Sequence, residues 1–140
     1  MLHKVDDILS KHALRRTAFR QELLKIFIES GSRALGYTDI EEALGDHDRI
    51  TLYRTLKSFQ DKGLIHEAVD GGKDTKYALC QNQCDVHHHI DHHPHFLCES
   101  CGVTYCMDEI KIPDLDLPRN YTLKGMHLAL SGTCASCSKV

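Results

Sequence analysis

Cys98-Glu99-Ser100-Cys101-Gly102 and Cys134-Ala135-Ser136-Cys137 are two Cys-x-x-Cys pairs. Each pair can present two thiolates to one Zn²⁺ at about 2.3 Å, and two pairs complete a tetrahedral four-cysteine site. Gly102 lets the backbone fold back around such an ion. Thirty-two residues separate the pairs, so folded chain is expected between them, with strand-like stretches at Val103–Met107 and Tyr121–Leu130. A half of about 60 residues is short of apolar core, and a structural metal offsets that shortage. The competing use of Cys98 and Cys101 is a redox dithiol. That use requires an exposed thiolate of lowered pKa, and the sequence has no thioredoxin-like alternation of strands and helices.

A second group of metal-binding residue types precedes the first pair. The run His87-His88-His89-Ile90-Asp91-His92-His93-Pro94-His95 is internal and therefore native sequence rather than a tag. In an extended segment His93 and His95 point the same way and His92 the other. Cys80 ends one predicted strand and His66 lies on its partner strand. One ion held by His66, Cys80, His93 and His95 would join the two halves of the chain. The alternative is a solvated linker of weak metal affinity, which suits His87, His88 and His89 best. A zinc buffer built on the histidine run would bind no DNA.

These ligands need elements to position them. Val5 to Leu14 can form a short helix with Val5, Ile8 and Leu9 on one face. Thr17 is suited to cap a second helix, whose stripe is Phe19, Leu23, Ile26 and Phe27, and Gly31 ends it. Thr38-Asp39-Ile40-Glu41 reads as a capping box opening a helix through Leu44. Asp48 starts another helix with Leu52, Leu56 and Phe59 inward and Gly63 at its close. Leu64–Val69, a Gly-rich turn at 70–73 and Thr75–Leu79 then form a hairpin. Helix, turn, helix and hairpin make a winged helix-turn-helix, whose last helix enters the DNA major groove. Thr51, Tyr53 and Arg54 are placed to meet bases there. Lys11, Arg15, Arg16, Arg20 and Lys25 supply phosphate contacts, unless they form only a solvated face.

The totals fit this division. The chain has 140 residues and a net charge of −3, so no overall basic field points to nucleic acid. All seven cysteines, and seven of the eleven histidines, lie in residues 80–140. Residues 1–79 hold 13 Lys+Arg against 13 Asp+Glu. Ordinary hydrophobic and charged content excludes disorder and collagen-like repeats. No apolar run approaches the ~20 residues of a membrane span, and the start lacks a secretory core. A soluble, cytoplasmic protein is expected, and there clustered Cys and His favour metal over disulfides.

Four motifs carry a family resemblance. They are Leu14-Arg15-Arg16-Thr17-x-x-Arg20, Thr51-Leu52-Tyr53-Arg54-Thr55-Leu56 with Gly63-Leu64-Ile65, His93-Pro94-His95-Phe96-Leu97-Cys98-x-x-Cys101-Gly102, and Gly132-Thr133-Cys134-x-x-Cys137. With them the chain resembles the ferric uptake regulator family of metal-sensing repressors over nearly its whole length. The resemblance implies an α+β protein: a winged helix-turn-helix domain (1–79), a hinge (80–91), and a small α/β dimerisation domain with a four-cysteine zinc site (92–140). It implies a homodimer, not an enzyme, that binds palindromic double-stranded operators when a regulatory metal is present. Arg15 would read the minor groove, Tyr53 and Arg54 the major groove, and Cys98, Cys101, Cys134 and Cys137 would hold structural Zn²⁺.

The regulatory metal is Zn²⁺ or Fe²⁺ in such proteins. Iron-sensing members usually carry glutamates where this chain has Ala78 and Cys106. Zinc-sensing members often carry a cysteine at the Cys80 position and histidines matching His93 and His95, so the chain looks more like the zinc group. An iron- or peroxide-sensing regulator is the alternative within the family. Residues 80–91 are longer than the usual hinge and add Cys84 and three histidines. Pro94 replaces an acidic residue, and Met126 stands at a family histidine beside His127. Cys84 and Cys106 have no assigned role, and either can replace one of the four sensor ligands.

Overall fold

The computed structural model describes residues 2–68, 74–79, 94–107, 109–111, 113–124 and 126–138. The expected hinge at 80–91, with Cys80, Cys84, His87, His88 and His89, lies outside them, as do His92, His93 and the turn at 70–73.

Helix α1 (Leu2–Lys11) begins and ends about three residues before the expected Val5–Leu14. The chain turns at Ala13, whose φ is 56°, so that the Leu14 N–H bonds the Leu9 carbonyl at 2.9 Å. Helix α2 (Ala18–Ser30) starts where Thr17 predicts, the hydroxyl accepting from the Arg20 N–H at 3.2 Å. Leu23, Leu24 and Phe27 are its buried residues, while Phe19 and Ile26 are only partly buried. A strand that the sequence pattern does not announce, β1 (Arg33–Gly36), follows. Helix α3 (Tyr37–Leu44) opens one residue before Thr38. Its start is closed by Asp39, whose carboxylate accepts from the Gly36 N–H at 3.0 Å, in place of the expected Thr38–Glu41 pairing. Helix α4 (Arg49–Asp61) is capped by Asp48, as its sequence indicates, and buries Leu52, Thr55, Leu56 and Phe59.

Strands β2 (Ile65–Glu67) and β3 (Lys76–Leu79) form the wing, and β4 (His95–Cys98), β5 (Thr104–Cys106) and β6 (Ala129–Gly132) follow. A last short helix, α5 (Ala135–Ser138), carries the end of the second cysteine pair. Among the described residues of the expected Tyr121–Leu130 strand, Ala129 and Leu130 alone belong to a strand, β6. The strands form one sheet in the order β2-β3-β1-β5-β4-β6. Every pairing is antiparallel except β4–β6. The architecture is the expected α+β arrangement of a winged helix-turn-helix followed by a small α/β unit around the cysteine pairs. Strand β1 belongs to both parts, because it pairs with β3 on one side and β5 on the other. Lys76 makes a second link. Its ammonium donates to the Gly102 carbonyl at 3.0 Å and to the Thr104 hydroxyl at 2.7 Å.

The two parts have different interiors. The main apolar cluster runs from Val5 through Leu23, Leu24, Phe27, Leu52, Leu56 and Phe59 to Ile65. Among the largest fully buried side chains described, His95 alone comes from beyond residue 65. Among the described residues no helix is long and apolar enough to cross a membrane.

Phe59 is fully buried in that cluster. Phe59→Ala should therefore destabilise the zinc-loaded protein by about 3–5 kcal/mol, measured by denaturant unfolding. A loss below about 1 kcal/mol would remove Phe59 from the core's supports.

Candidate metal centres and nucleic-acid interface

The four cysteines of the two pairs converge. Cys98 ends β4, and the turn after it reverses through Gly102, whose φ is 76°. The Gly102 N–H bonds back to the Cys98 carbonyl at 2.8 Å. Cys134 precedes α5 and Cys137 lies within it, one helical turn apart and so on one side. The ligand atoms of Cys98, Cys101, Cys134 and Cys137 all lie within 4.8 Å of one another. The Cys101 and Cys134 sulfurs are 3.8 Å apart. Sulfurs bound at about 2.3 Å around a tetrahedral Zn²⁺ would be separated by about 3.8 Å, so the residues fit that ion.

The backbone also prepares the site for thiolates. The Cys98 sulfur accepts from the Cys134 N–H at 3.3 Å and the Cys101 N–H at 3.5 Å. The Cys101 and Cys134 amides pull the Cys98 thiol down to about 6. Cys134 is also lowered, chiefly by the Cys137 amide. Cys137 is pushed up to about 12, because hydrogen bonds to the Cys134, Cys98 and Cys101 sulfurs hold its proton. Burial, and then a hydrogen bond to Cys134, raises the Tyr105 phenol. A divalent cation reverses the crowding, since it converts four competing thiols into four ligands.

A second cluster joins the wing to the strands beyond it. His66 comes from β2, His95 from β4 and Cys106 from β5, and all three are buried with ligand atoms within 4.8 Å of one another. The His66 and His95 Nε2 atoms are 3.3 Å apart, and the Cys106 sulfur lies 3.9 Å from His66 Nε2. Nitrogens bound at about 2.0–2.1 Å to a tetrahedral ion are about 3.3 Å apart, so this pair too has the spacing of two ligands. Three protein ligands would leave one position for a fourth.

The pairing register explains how residues so distant in sequence meet. His95 stands directly opposite Cys106, and His66 opposite Ala78. In a flat sheet β2 and β4 would be four strand spacings apart, roughly 19 Å. The sheet curls instead, and its inner face is paved by Ala34, Ala68, Ala78 and Cys106. Side chains that small leave room for the two imidazoles to close over them.

Two of the four expected sensor ligands, His66 and His95, are thus brought together; Cys80 and His93 lie outside the described residues. Cys106, left without a role by its spacing, is the third member. Its signal in sequence was only its metal-binding chemistry on a predicted strand.

On α4, Tyr53 and Arg54 are exposed. Thr51 is half-buried, and its hydroxyl donates to the Asp48 carboxylate at 2.8 Å. That bond leads the contacts holding the Asp48 carboxyl below its ordinary range. Thr51 therefore also supports the helix cap. Arg15 is exposed and its carbonyl accepts from the Arg20 guanidinium at 2.9 Å, whereas Arg16 pairs with Asp6 at 3.2 Å.

Residues 11–131 match the profile of the ferric uptake regulator family. The chain belongs to that family. A ferric uptake regulation protein of Staphylococcus epidermidis is 33% identical over 138 residues, covering 94% of this chain and 93% of that one. Among solved structures, a zinc uptake regulator in complex with zinc and DNA has a TM-score of 0.62 at 19% identity, covering 97% of this chain and 91% of the other. The Helicobacter pylori ferric uptake regulator, described as having three functional metal-binding sites, has a TM-score of 0.59 at 17% identity over 99% and 92%. Ferric uptake regulator family proteins are transcription regulators rather than enzymes, and this chain is a metal-responsive regulator of that family.

Two outcomes are expected at the cysteine cluster. Cys98→Ser should abolish zinc retention and unfold the C-terminal strands, since apparent structural zinc affinities are about 10–16 kcal/mol. A folded, zinc-free variant would contradict a structural role. Zinc uptake by the metal-free protein should also release protons, because Cys137 holds its own to about 12. Apparent affinity should thus rise with pH from about 6 toward 9. Calorimetry in buffers of different ionisation enthalpy counts those protons; a pH-independent affinity would contradict the assignment.

Proposed function

We propose that the protein is a zinc-responsive transcriptional repressor that binds double-stranded operator DNA as a homodimer in the cytoplasm. Cys98, Cys101, Cys134 and Cys137 hold structural Zn²⁺. His66, His95 and Cys106 hold the regulatory ion, with Cys80 and His93 available to complete the set. The observation that carries this reading is the buried His66–His95 pair at 3.3 Å with the Cys106 sulfur 3.9 Å from His66. Two imidazoles and a thiolate suit Zn²⁺, whereas Fe²⁺ sites draw more on carboxylate. The cluster contains no carboxylate among the described residues.

The ligands come from the wing and from the strands beyond it, so the ion favours one arrangement of the two. Differential affinity for that arrangement is what shifts the population. In a dimer the favoured arrangement would set the two α4 helices about 34–36 Å apart, one turn of DNA. Exposed Ile110, Leu115, Leu117, Tyr121 and Leu123 supply apolar surface for a second copy. Arg15, Tyr53 and Arg54 meet the DNA. A second reading, an iron sensor, is favoured by the name of the 33% identical staphylococcal relative.

Operator binding titrated with free Zn²⁺ and with anaerobic Fe²⁺ separates the two. Zn²⁺ should activate, and activation by Fe²⁺ alone would replace the zinc reading. Cys106→Ser should lose metal-dependent binding yet keep the structural zinc and the dimer; a wild-type response would exclude Cys106 from the sensor. Arg54→Ala should weaken specific binding by roughly 1–3 kcal/mol, read by fluorescence anisotropy. Unchanged affinity would remove Arg54 from the interface.

A further inference from the structure

Ile50 is used by neither the core nor the two metal clusters. It lies in the first turn of α4 and is 60% exposed, whereas Leu52, Leu56 and Phe59 of the same helix are buried. Tyr53, 57% exposed, and Arg54 follow it at i+3 and i+4, so the three share one face. The charge around that face has one dominant sign. Arg49, Arg54 and Lys57 are exposed, and no acidic residue occupies the first helical turn, although helix starts favour acids. The neighbouring Asp48 carboxylate is turned onto the helix itself, accepting from the Ile50 N–H at 3.4 Å and the Thr51 hydroxyl at 2.8 Å. An apolar side chain on a helix that also exposes Arg49, Arg54 and Lys57 complements a surface of anionic phosphates with an apolar feature inside it.

We infer that Ile50 reads a thymine methyl group in the major groove of the operator. The inference rests on the DNA-binding reading above and adds a base to it. The thymine C5-methyl is the apolar mark that the major groove displays, and first-turn residues of a recognition helix are those that reach base edges. Ile50 cannot donate or accept a side-chain hydrogen bond, so burying that methyl is what it can contribute. Its β-branched side chain is stiff about χ1, and the cap bond holds its backbone. Little freedom is therefore lost on contact.

The test is a double-mutant cycle with the full-length, zinc-loaded protein. An operator is selected from random duplexes, and each thymine is replaced in turn by uracil, which lacks only the methyl. At one thymine per half-site uracil should weaken the wild type about fourfold, the equivalent of ~0.8 kcal/mol for one buried carbon. Ile50→Ala should bind that operator more weakly and show no further loss with uracil, while Ile50→Val should keep the thymine preference. Zinc content and dimer mass should be unchanged in both variants. Equal uracil penalties in wild type and Ile50→Ala would overturn the inference, as would a wild type indifferent to uracil at every position. If no duplex is selected at saturating zinc, the operator reading itself fails and takes this inference with it.

Discussion

Two imidazole nitrogens 3.3 Å apart and away from water need either one shared proton or a cation between them, and both choices tie His66 to His95. A great deal else follows from keeping that pair closed. The sheet must curl until β2 faces β4. The residues beneath must be small, as Ala34, Ala78 and Cys106 are. The wing must stay in register with β1, since a one-residue slip would turn His66 to the opposite face. The position of the winged unit thus depends in part on a polar cluster, His66, His95 and Cys106, set among alanines.

The cysteine cluster answers a different need. Beyond residue 65 the described interior is made of sulfur, imidazole, hydroxyl, alanine and Pro94 rather than of leucine and phenylalanine. Strands of three or four residues cannot hold together on that apolar area alone. Four thiolates around one ion would supply there what hydrocarbon supplies in the helical part. The strand end, turn and helix that present Cys98, Cys101, Cys134 and Cys137 are arranged about the sulfur positions, and backbone amides already aim at Cys98.

The helical part and the four-cysteine set were legible in the sequence because their signals are local. Thr17 and Asp48 cap the helices they were expected to cap, and the three-residue cysteine spacing needs no knowledge of the fold. Strand β1 was not legible. Its four residues, Arg33–Gly36, carry no alternation of their own and become a strand only by pairing with β3 and β5, each about forty residues away or more. Cys106 was unassigned for the same reason, because its role depends on standing opposite His95. The cap of α3 lies two residues before the Thr38 that its sequence suggests, because Asp39 and Glu41 are both able to close a helix start and the Gly36 N–H bonds Asp39. The stretch from Tyr121 is expected from its composition to be extended, yet among the described residues its pairing with a strand begins only at Ala129.

Strand β1 is also a seam. Only Arg33↔Tyr105 and Ala34↔Thr104 are in paired register across it, among the described residues, and the Cys106 N–H adds a bond to the Ser32 carbonyl at 2.8 Å. At about 0.5–1.5 kcal/mol for each backbone bond, parting that short ladder costs only a few kcal/mol. The energy is comparable to the ~5.5 kcal/mol of differential binding that carries a two-state equilibrium from one extreme to the other. A longer ladder would weld the wing to the strands beside it whatever the ion did, and a shorter one would leave them to swing unguided. Two rungs, the Ser32 bond and the Lys76 ammonium make a join stiff enough to define an angle, and one short enough that an ion bound across it would be able to decide that angle.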